Sequence, residues 1–250
     1  MLDDIISSLD FRAEVSDIRQ GVFHTGVVTR NCGLASTLPQ DAFKQERPLM
    51  REPGFLLNKS AEELAKMAYL PLILEAAVGM AAINSLIDLD ESSCVAVNAS
   101  EVMAEKGKGK KVAIIGHFPF VPNLKARVGH LWVIEKNCRE DDLAEEEADS
   151  ILPRADVVGI TGTSFTNHTV EDLLRHCRKD AFVLMLGDTT PFSPVLFEYG
   201  IDALCGVKVV NPRLALNCVS QGANFRQIKG VKLLTMFKDG SEPIHRSCKD

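Results

Sequence analysis

The residues best placed to do chemistry in this sequence sit at the ends of short apolar runs. VAIIGHFPF (112–120) begins as a buried strand and ends on Gly116, His117, Phe118 and Pro119. A dinucleotide-binding fold would place G-x-G-x-x-G there, and without it the turn cannot bring backbone close to a pyrophosphate, which disfavours an ordinary NAD site. Pro119 and Pro122 stiffen the loop and hold His117 and Phe118 in place. His117 then reads as an acid–base group or a metal ligand and Phe118 as a stacking surface, or else both plug the top of a sheet.

Other loops add candidates. Glu135 ends the next apolar run about 19 residues beyond Gly116, the distance at which a Rossmann acid meets ribose hydroxyls; beside Lys136 it could equally be a solvated or paired acid. TGTSFTNHT (161–169) carries Thr161, Gly162, Thr163 and Asn167 into a helix start, a set of donors suited to a carboxylate or phosphate. A helix cap explains Thr169 but not the others. GDTTPFSP (187–194) brings Gly187, Asp188 and Thr190 to a second such entry, where Asp188 could hold a cation or a hydroxyl. In the N-terminal part, Gly33 and Leu34 lie in NCGLAST (31–37), and Asn84 and Glu75 interrupt an apolar helix on opposite sides of it. Asn84 is expected to cap a neighbouring loop, with a ligand contact as the alternative.

Metal ligation is weighed separately. Cys32, Cys94, Cys138, Cys177, Cys205, Cys218 and Cys248 are scattered singly, without C-x-x-C, so neither a disulfide framework nor a zinc ribbon is written here. His176 and Cys177 point to different faces of a helix, and His245-x-x-Cys248 lies in a polar tail; neither has the spacing of structural zinc. A transient metal at an interdomain cleft stays open. No G-x-S-x-G, Walker A or H-E-x-x-H occurs.

The elements that position these loops follow from periodicity. The sequence predicts a short helix over 1–10, strands at 12–20 and 22–30 turning at Gly21, a third near 32–38, and a loop over 39–58. Ser60-Ala-Glu-Glu63 is a capping box, and PLILEAAVGMAAINSLI (71–87) is a buried helix rich in small residues. EKGKGKK (105–111) reads as a linker. Beyond it, VAIIG, LWVIE, DVVGIT, FVLMLG and ALCGVKVV are strands covered on both faces, alternating with helices at 142–152, 170–177, 194–199 and 212–220, and VKLLTMF (231–237) is a last strand that closes the sheet. Thr169 with Asp172, Ser193-Pro194 and Asn211-Pro212 are start signals, and Gly222 a stop. The expectation is an α+β part over 1–104 followed by a Rossmann-like, doubly wound, mostly parallel α/β domain over 105–250.

Composition bounds the rest. The chain has 250 residues, with 28 basic against 34 acidic for a net charge of −6 and no basic stripe, which argues against nucleic acid. The acidic N-terminus and the lack of an ~18-residue apolar run argue against secretion and a membrane, so a reducing cytoplasm is expected. A homodimer is the expectation for this architecture.

GLAST (33–37), GMAAINSLI (79–87), VAIIGHFPF (112–120), LPRADVVGITGTSFTNHTVEDLL (152–174) and GDTTPFSPVLFEYGIDALCG (187–206) together resemble the "putative heavy-metal chelation" family over nearly the whole chain. The resemblance implies an enolase N-terminal-like domain joined to a Rossmann-like domain, similar in part to Rossmann-like methyltransferases, with a site where the two meet. It implies a role in metal chelation through condensation or hydrolysis of pterin-, flavin- or siderophore-like molecules; the alternative is a non-catalytic metal or metal-complex binding module. The family's Gly-Pro-Ser-Thr-Pro type of loop is here Gly187-Asp188-Thr189-Thr190-Pro191, which adds a charge. On this reading His117 transfers a proton or contacts metal, Glu135 holds ligand hydroxyls, and Thr163, Asn167 and Thr190 hold an anionic end. Gly33, Leu34, Asn84, Gly116, Phe118, Pro119, Thr161, Gly162, Gly187 and Asp188 complete the site. The cofactor stays open between a nucleotide- or pterin-like molecule and a transition metal.

Overall fold

The computed structural model describes residues 1–238 and 240, so His245 and Cys248 lie outside the described residues. In chain order the elements are α1 (Leu2–Ser7), β1 (Asp17–Gln20), β2 (His24–Val28), β3 (Cys32–Ser36), α2 (Pro39–Ala42), α3 (Ala61–Lys66), α4 (Ile73–Leu86), β4 (Cys94–Val95) and α5 (Ala99–Lys106). There follow β5 (Lys111–Ile115), α6 (Val121–Lys125), β6 (His130–Ile134), α7 (Ala148–Ile151), β7 (Val157–Thr161), α8 (Thr163–Thr166) and α9 (Val170–His176). The chain then forms β8 (Phe182–Leu186), β9 (Ala203–Val209), α10 (Pro212–Ser220) and β10 (Val231–Phe237). The fold is mixed α/β, as expected: a small antiparallel sheet β1-β2-β3 beside a larger one in the order β4-β10-β9-β8-β7-β5-β6. The larger sheet is parallel from β6 to β9, and β10 runs antiparallel to β9 and β4.

The apolar runs form strands because both of their faces are buried. Along β5, Val112 and Ile114 pack with Val102 and Met103 of α5, while Ala113 faces the opposite core. β7 and β8 alternate in the same way: Val157, Leu184 and Leu186 on one side, Val158, Ile160, Val183 and Met185 on the other. Period-two alternation with both sets apolar is the signature of a sheet covered on both sides.

The small sheet is held by α4, whose residues are buried apart from Leu74 and Asn84. Its small side chains let backbone come close. A Cβ on Gly79 would lie 2.0 Å from the Ala68 nitrogen, and one on Gly33 would lie 2.2 Å from the Ala81 oxygen. Glu75, 1% exposed on this helix, is answered by Arg51, whose Nη2 donates to its Oε2 at 2.6 Å and whose backbone N–H donates at 2.7 Å. The expected capping box at Ser60 is present, as are the Asn211 cap and the left-handed Gly222.

Three local expectations are corrected. Residues 142–152 do not form one helix: Leu143 pairs with Ile134 as a β-bridge, a 3₁₀ turn spans Glu145–Glu147, α7 follows, and a second 3₁₀ turn at Leu152–Arg154 contains Pro153. Thr169 does not cap α9, because its hydroxyl donates to Asn167 Oδ1 at 2.8 Å, and Ser193 makes no side-chain cap either. The stretch read as a linker is partly helical: α5 runs through Lys106, capped by Asn98 accepting from the Glu101 N–H. Among the described residues no helix is long and apolar enough to cross a membrane.

Gly79→Ala tests the close approach directly. Helix propensity favours alanine by roughly 1 kcal/mol, but a rigid backbone stands where the methyl would go, and overpacking of that kind costs about 1–3 kcal/mol. The expected outcome is a lower Tm; a higher Tm would mean that propensity outweighs the contact.

Candidate functional site

The chain leaves β5 for β6 on one side and reaches β7 on the other, so the sheet's direction of winding reverses between β5 and β7. A crevice must open beyond the carboxyl ends of the strands at such a point. Here it is a cleft of ≈ 640 Å³. Phe118, Pro119 and Phe120 wall it at the tip of β5, Thr161 and Thr163 at β7, Gly187, Asp188 and Thr189 at β8, and Gly206 and Leu234 along the β9–β10 pair. His24 and Ser36 of the small sheet, Asn98 and Ser100 at the start of α5, and Phe225 and Arg226 before β10 complete it. Phe118 and Phe120 stack, with ring centroids 5.3 Å apart.

The two sheets meet in this cleft through a buried polar knot. His24 opens β2 and Ser36 closes β3 directly opposite it in the ladder, so both side chains leave the same face. At the end of β8, Gly187 takes φ 112°, a conformation that a side chain would strain, and turns Asp188 toward the small sheet. His24 Nδ1 then lies 2.5 Å from Asp188 Oδ2, with both side chains 5% exposed. Ser36 Oγ donates to Asp188 Oδ1 at 2.9 Å, and the Ser36 N–H donates to Thr189 Oγ1 at 2.9 Å. Asn84 Nδ2 spans the same seam, donating to the carbonyls of Leu34 at 2.9 Å, Thr189 at 3.3 Å and Asp188 at 3.4 Å. It is thus the loop tie expected of it.

Two opposed effects set the state of Asp188. Burial alone would push the Asp188 carboxyl up, but the charge and hydrogen bond of His24, with that of Ser36, outweigh it and hold the carboxyl below its ordinary value. An ionised carboxylate only accepts, so Nδ1 of His24 carries the proton. Nε2 makes no hydrogen bond among the described residues, and His24 lines the cleft. The arrangement is a carboxylate-oriented imidazole whose far nitrogen can take or give a proton, or bind a metal.

The remaining expected residues are divided among three cavities and the packing around them. Phe118, Pro119, Thr161, Thr163, Gly187 and Asp188 line the cleft. His117 does not line it: with Glu135, Asn137 and Arg139 it lines a separate cavity of ≈ 520 Å³, its Nδ1 3.0 Å from both oxygens of Asp142. The Glu135 carboxylate accepts from the backbone N–H of His117 at 2.8 Å and of Asn137 at 3.1 Å, which ties one loop to the next. Gly33, Asn84 and Thr190 line a small cavity of ≈ 40 Å³ between the sheets. Leu34 is buried in the core, Gly116 packs under Phe118 and Thr161, and Gly162 lies against the Thr190 backbone. Asn167 holds Thr169.

Sequence reasoning missed His24, Phe225, Arg226 and the start of α5, and it reached Ser36 only as part of GLAST. His24 stands 164 residues from its partner, in a segment whose alternation signals only a strand. Asn98, three residues before Glu101, was the available signal for α5.

For metals, the cleft offers one imidazole rather than a cage. Burial pushes the thiols of Cys32, Cys177 and Cys205 up to about 12, so they stay protonated at neutral pH. Among the described residues, one group of three potential ligands lies within 4.8 Å, Asp149, Asp172 and His176 on α7 and α9, and none of these lines the cleft.

The depressed Asp188 carboxyl has a pH consequence. It contributes stability that is present above the unfolded value near 3.8 and lost as pH falls through the lower folded value. In His24→Gln the opposing charge is gone and burial dominates, so acid unfolding followed by circular dichroism from roughly pH 6 to 2 should begin at higher pH than in the wild type. An unchanged midpoint would count against the ion pair.

Two family descriptions match the chain, both reading "putative heavy-metal chelation", one over residues 2–87 and one over 98–237. An uncharacterized protein of Methanocaldococcus jannaschii is 26% identical over 181 residues, 70% of this chain and 70% of its own length. A crystal structure of a protein with unknown function from Desulfitobacterium hafniense is 25% identical and matches 95% of this chain and 96% of its own, with a TM-score of 0.81. One from Pyrococcus horikoshii, 23% identical, matches 94% and 97% with a TM-score of 0.78 and shows the shared fold.

Proposed function

The chain belongs to the family described as putative heavy-metal chelation, and from that premise we propose that its cleft handles an organic metal chelator rather than a bare ion. The observation that carries this reading is the His24–Asp188 pair, buried at the seam of the two sheets, with Nε2 making no hydrogen bond among the described residues and His24 lining a cleft of ≈ 640 Å³. A volume of that size takes a molecule of several rings or its equivalent. A bare heavy-metal ion would need several converging ligands, and the cleft supplies one imidazole, an Asp188 already engaged, and Cys205, whose thiol burial keeps protonated.

Metal chelators bind through oxygen or nitrogen atoms that must lose a proton first. His24 Nε2 accepts such a proton while Asp188 stabilises the imidazolium that forms, the division of labour seen wherever a carboxylate backs a catalytic histidine. The same base activates water or a ligand hydroxyl in the condensation or hydrolysis of pterin-, flavin- or siderophore-like molecules. The Phe118–Phe120 pair offers the flat apolar face that conjugated rings of this kind stack on. His117 and Glu135 stand outside this scheme, since their side chains serve the neighbouring cavity.

A second reading rests on the same pair. An imidazole whose Nδ1–H is held by a carboxylate is also the usual form of a metal-ligating histidine, so His24 can complete the coordination of a metal that arrives already chelated. The protein is then a carrier and changes no bond.

Both readings meet one experiment. The wild type and His24→Gln are incubated with 2,3-dihydroxybenzoate, alone and as its ferric complex, and followed by calorimetry and by mass spectrometry of the ligand. Binding to the wild type that weakens at least about tenfold in the variant supports the site. A catalytic role adds a turnover loss of roughly 10²- to 10⁴-fold, whereas chemically unchanged ligand favours the carrier. Equal binding by both proteins would overturn the assignment of His24.

A further inference from the structure

The charges that line the cleft do not cancel. Its wall holds one acid, Asp188, and one permanent cation, Arg226. Asp188 is consumed inside the seam by His24 and Ser36. Arg226 has no ion pair or side-chain hydrogen bond among the described residues, although the whole chain carries a net charge of −6. An acidic protein thus keeps an uncompensated guanidinium on the wall of an apolar cleft.

The backbone that carries Arg226 is fixed while its side chain is not. Residues Phe225–Gln227 form a 3₁₀ turn closed by a reciprocal cap: the Asn224 side chain accepts from the Arg226 N–H at 3.1 Å, and Gln227 Oε1 accepts from the Asn224 N–H at 3.0 Å. The neighbouring Phe225 ring stands 6.3 Å from the His24 ring, which places this turn on the His24 side of the cleft. Phe118 lies across it, at the tip of β5, two strands away from β8 and Asp188. At about 4.8 Å per strand, that separation is roughly 10 Å.

We propose that the ligand is an elongated conjugated anion, its ring system against Phe118 and Phe120 and its carboxylate, sulfonate or phosphate group held by Arg226 beyond His24. The proposal rests on the cleft being the ligand site. A guanidinium suits this end because it presents a planar fork of donors to such groups, and Arg226 is exposed at the cleft wall, where an incoming anion can reach it. The anionic pole therefore lies with Arg226 rather than with the threonine loops.

Two dyes that share one ring system isolate the charge. 8-Anilino-1-naphthalenesulfonate is an elongated conjugated anion, and N-phenyl-1-naphthylamine is the same molecule without the sulfonate. Fluorescence titration of the wild type is expected to show tighter binding of the sulfonate. Arg226→Gln should weaken the sulfonate about tenfold and leave the neutral dye unchanged, with Arg226→Lys restoring most of the difference. Phe118→Ala should weaken both dyes. A wild type that binds neither dye, or an affinity ratio that Arg226→Gln leaves unchanged, overturns the proposal. This ratio reads charge recognition alone, whereas the His24→Gln loss of chelator binding reads the histidine, so either reading can fail with the other intact.

Discussion

Everything about the candidate site depends on a carboxylate buried between two sheets. Taking Asp188 out of water is costly, and the donors brought by β2 and β3 offset much of that cost, with the Thr189 hydroxyl adding a longer contact. The small sheet therefore cannot shift against the large one without stranding a charge. The Asn84 tie to Leu34, Asp188 and Thr189 constrains the same seam from α4. A buried ion pair adds little to net stability compared with apolar packing, but it fixes relative position, and position is what a site shared by two sheets requires.

That constraint explains how an N-terminal hairpin brings a histidine into the cleft of an α/β sheet. The strands β5, β7 and β8 provide a crevice at their carboxyl ends, as the winding reversal demands, but their own loops contribute mostly apolar and hydroxyl groups to it. The titratable nitrogen arrives from β2. The His117 loop is instead locked outward by Asp142 and Glu135, and its part in the cleft is to present Phe118.

Much of the architecture was legible because it follows from periodicity. Apolar runs bounded by turn residues read as strands buried on both faces, and β10 spans the expected residues, although it does not close the sheet because β4 pairs outside it. Small residues on α4 signal a close backbone approach, and the structure supplies the partners, Ala68 and Gly33. The site was half legible. Gly187, Asp188, Thr161 and Phe118 could be found because ligands gather at strand ends. His24 could not, because its meaning comes from a partner 164 residues away, and no local pattern encodes a contact between two sheets. Glu135 misled for a related reason: its spacing from Gly116 matches a ribose-binding acid, while in the structure the carboxylate is occupied by two backbone N–H groups.

The central claim is that His24 is held with its proton on Nδ1, toward Asp188, and Nε2 open to the cleft. Nuclear magnetic resonance of the ¹⁵N-histidine-labelled protein near neutral pH reads this directly. The account predicts a far-downfield proton resonance on Nδ1 of His24 that is lost in Asp188→Asn, together with an Nε2 nitrogen that shifts when 2,3-dihydroxybenzoate is added. A neutral His24 with its proton on Nε2, or an Nδ1 signal that Asp188→Asn leaves in place, would contradict it.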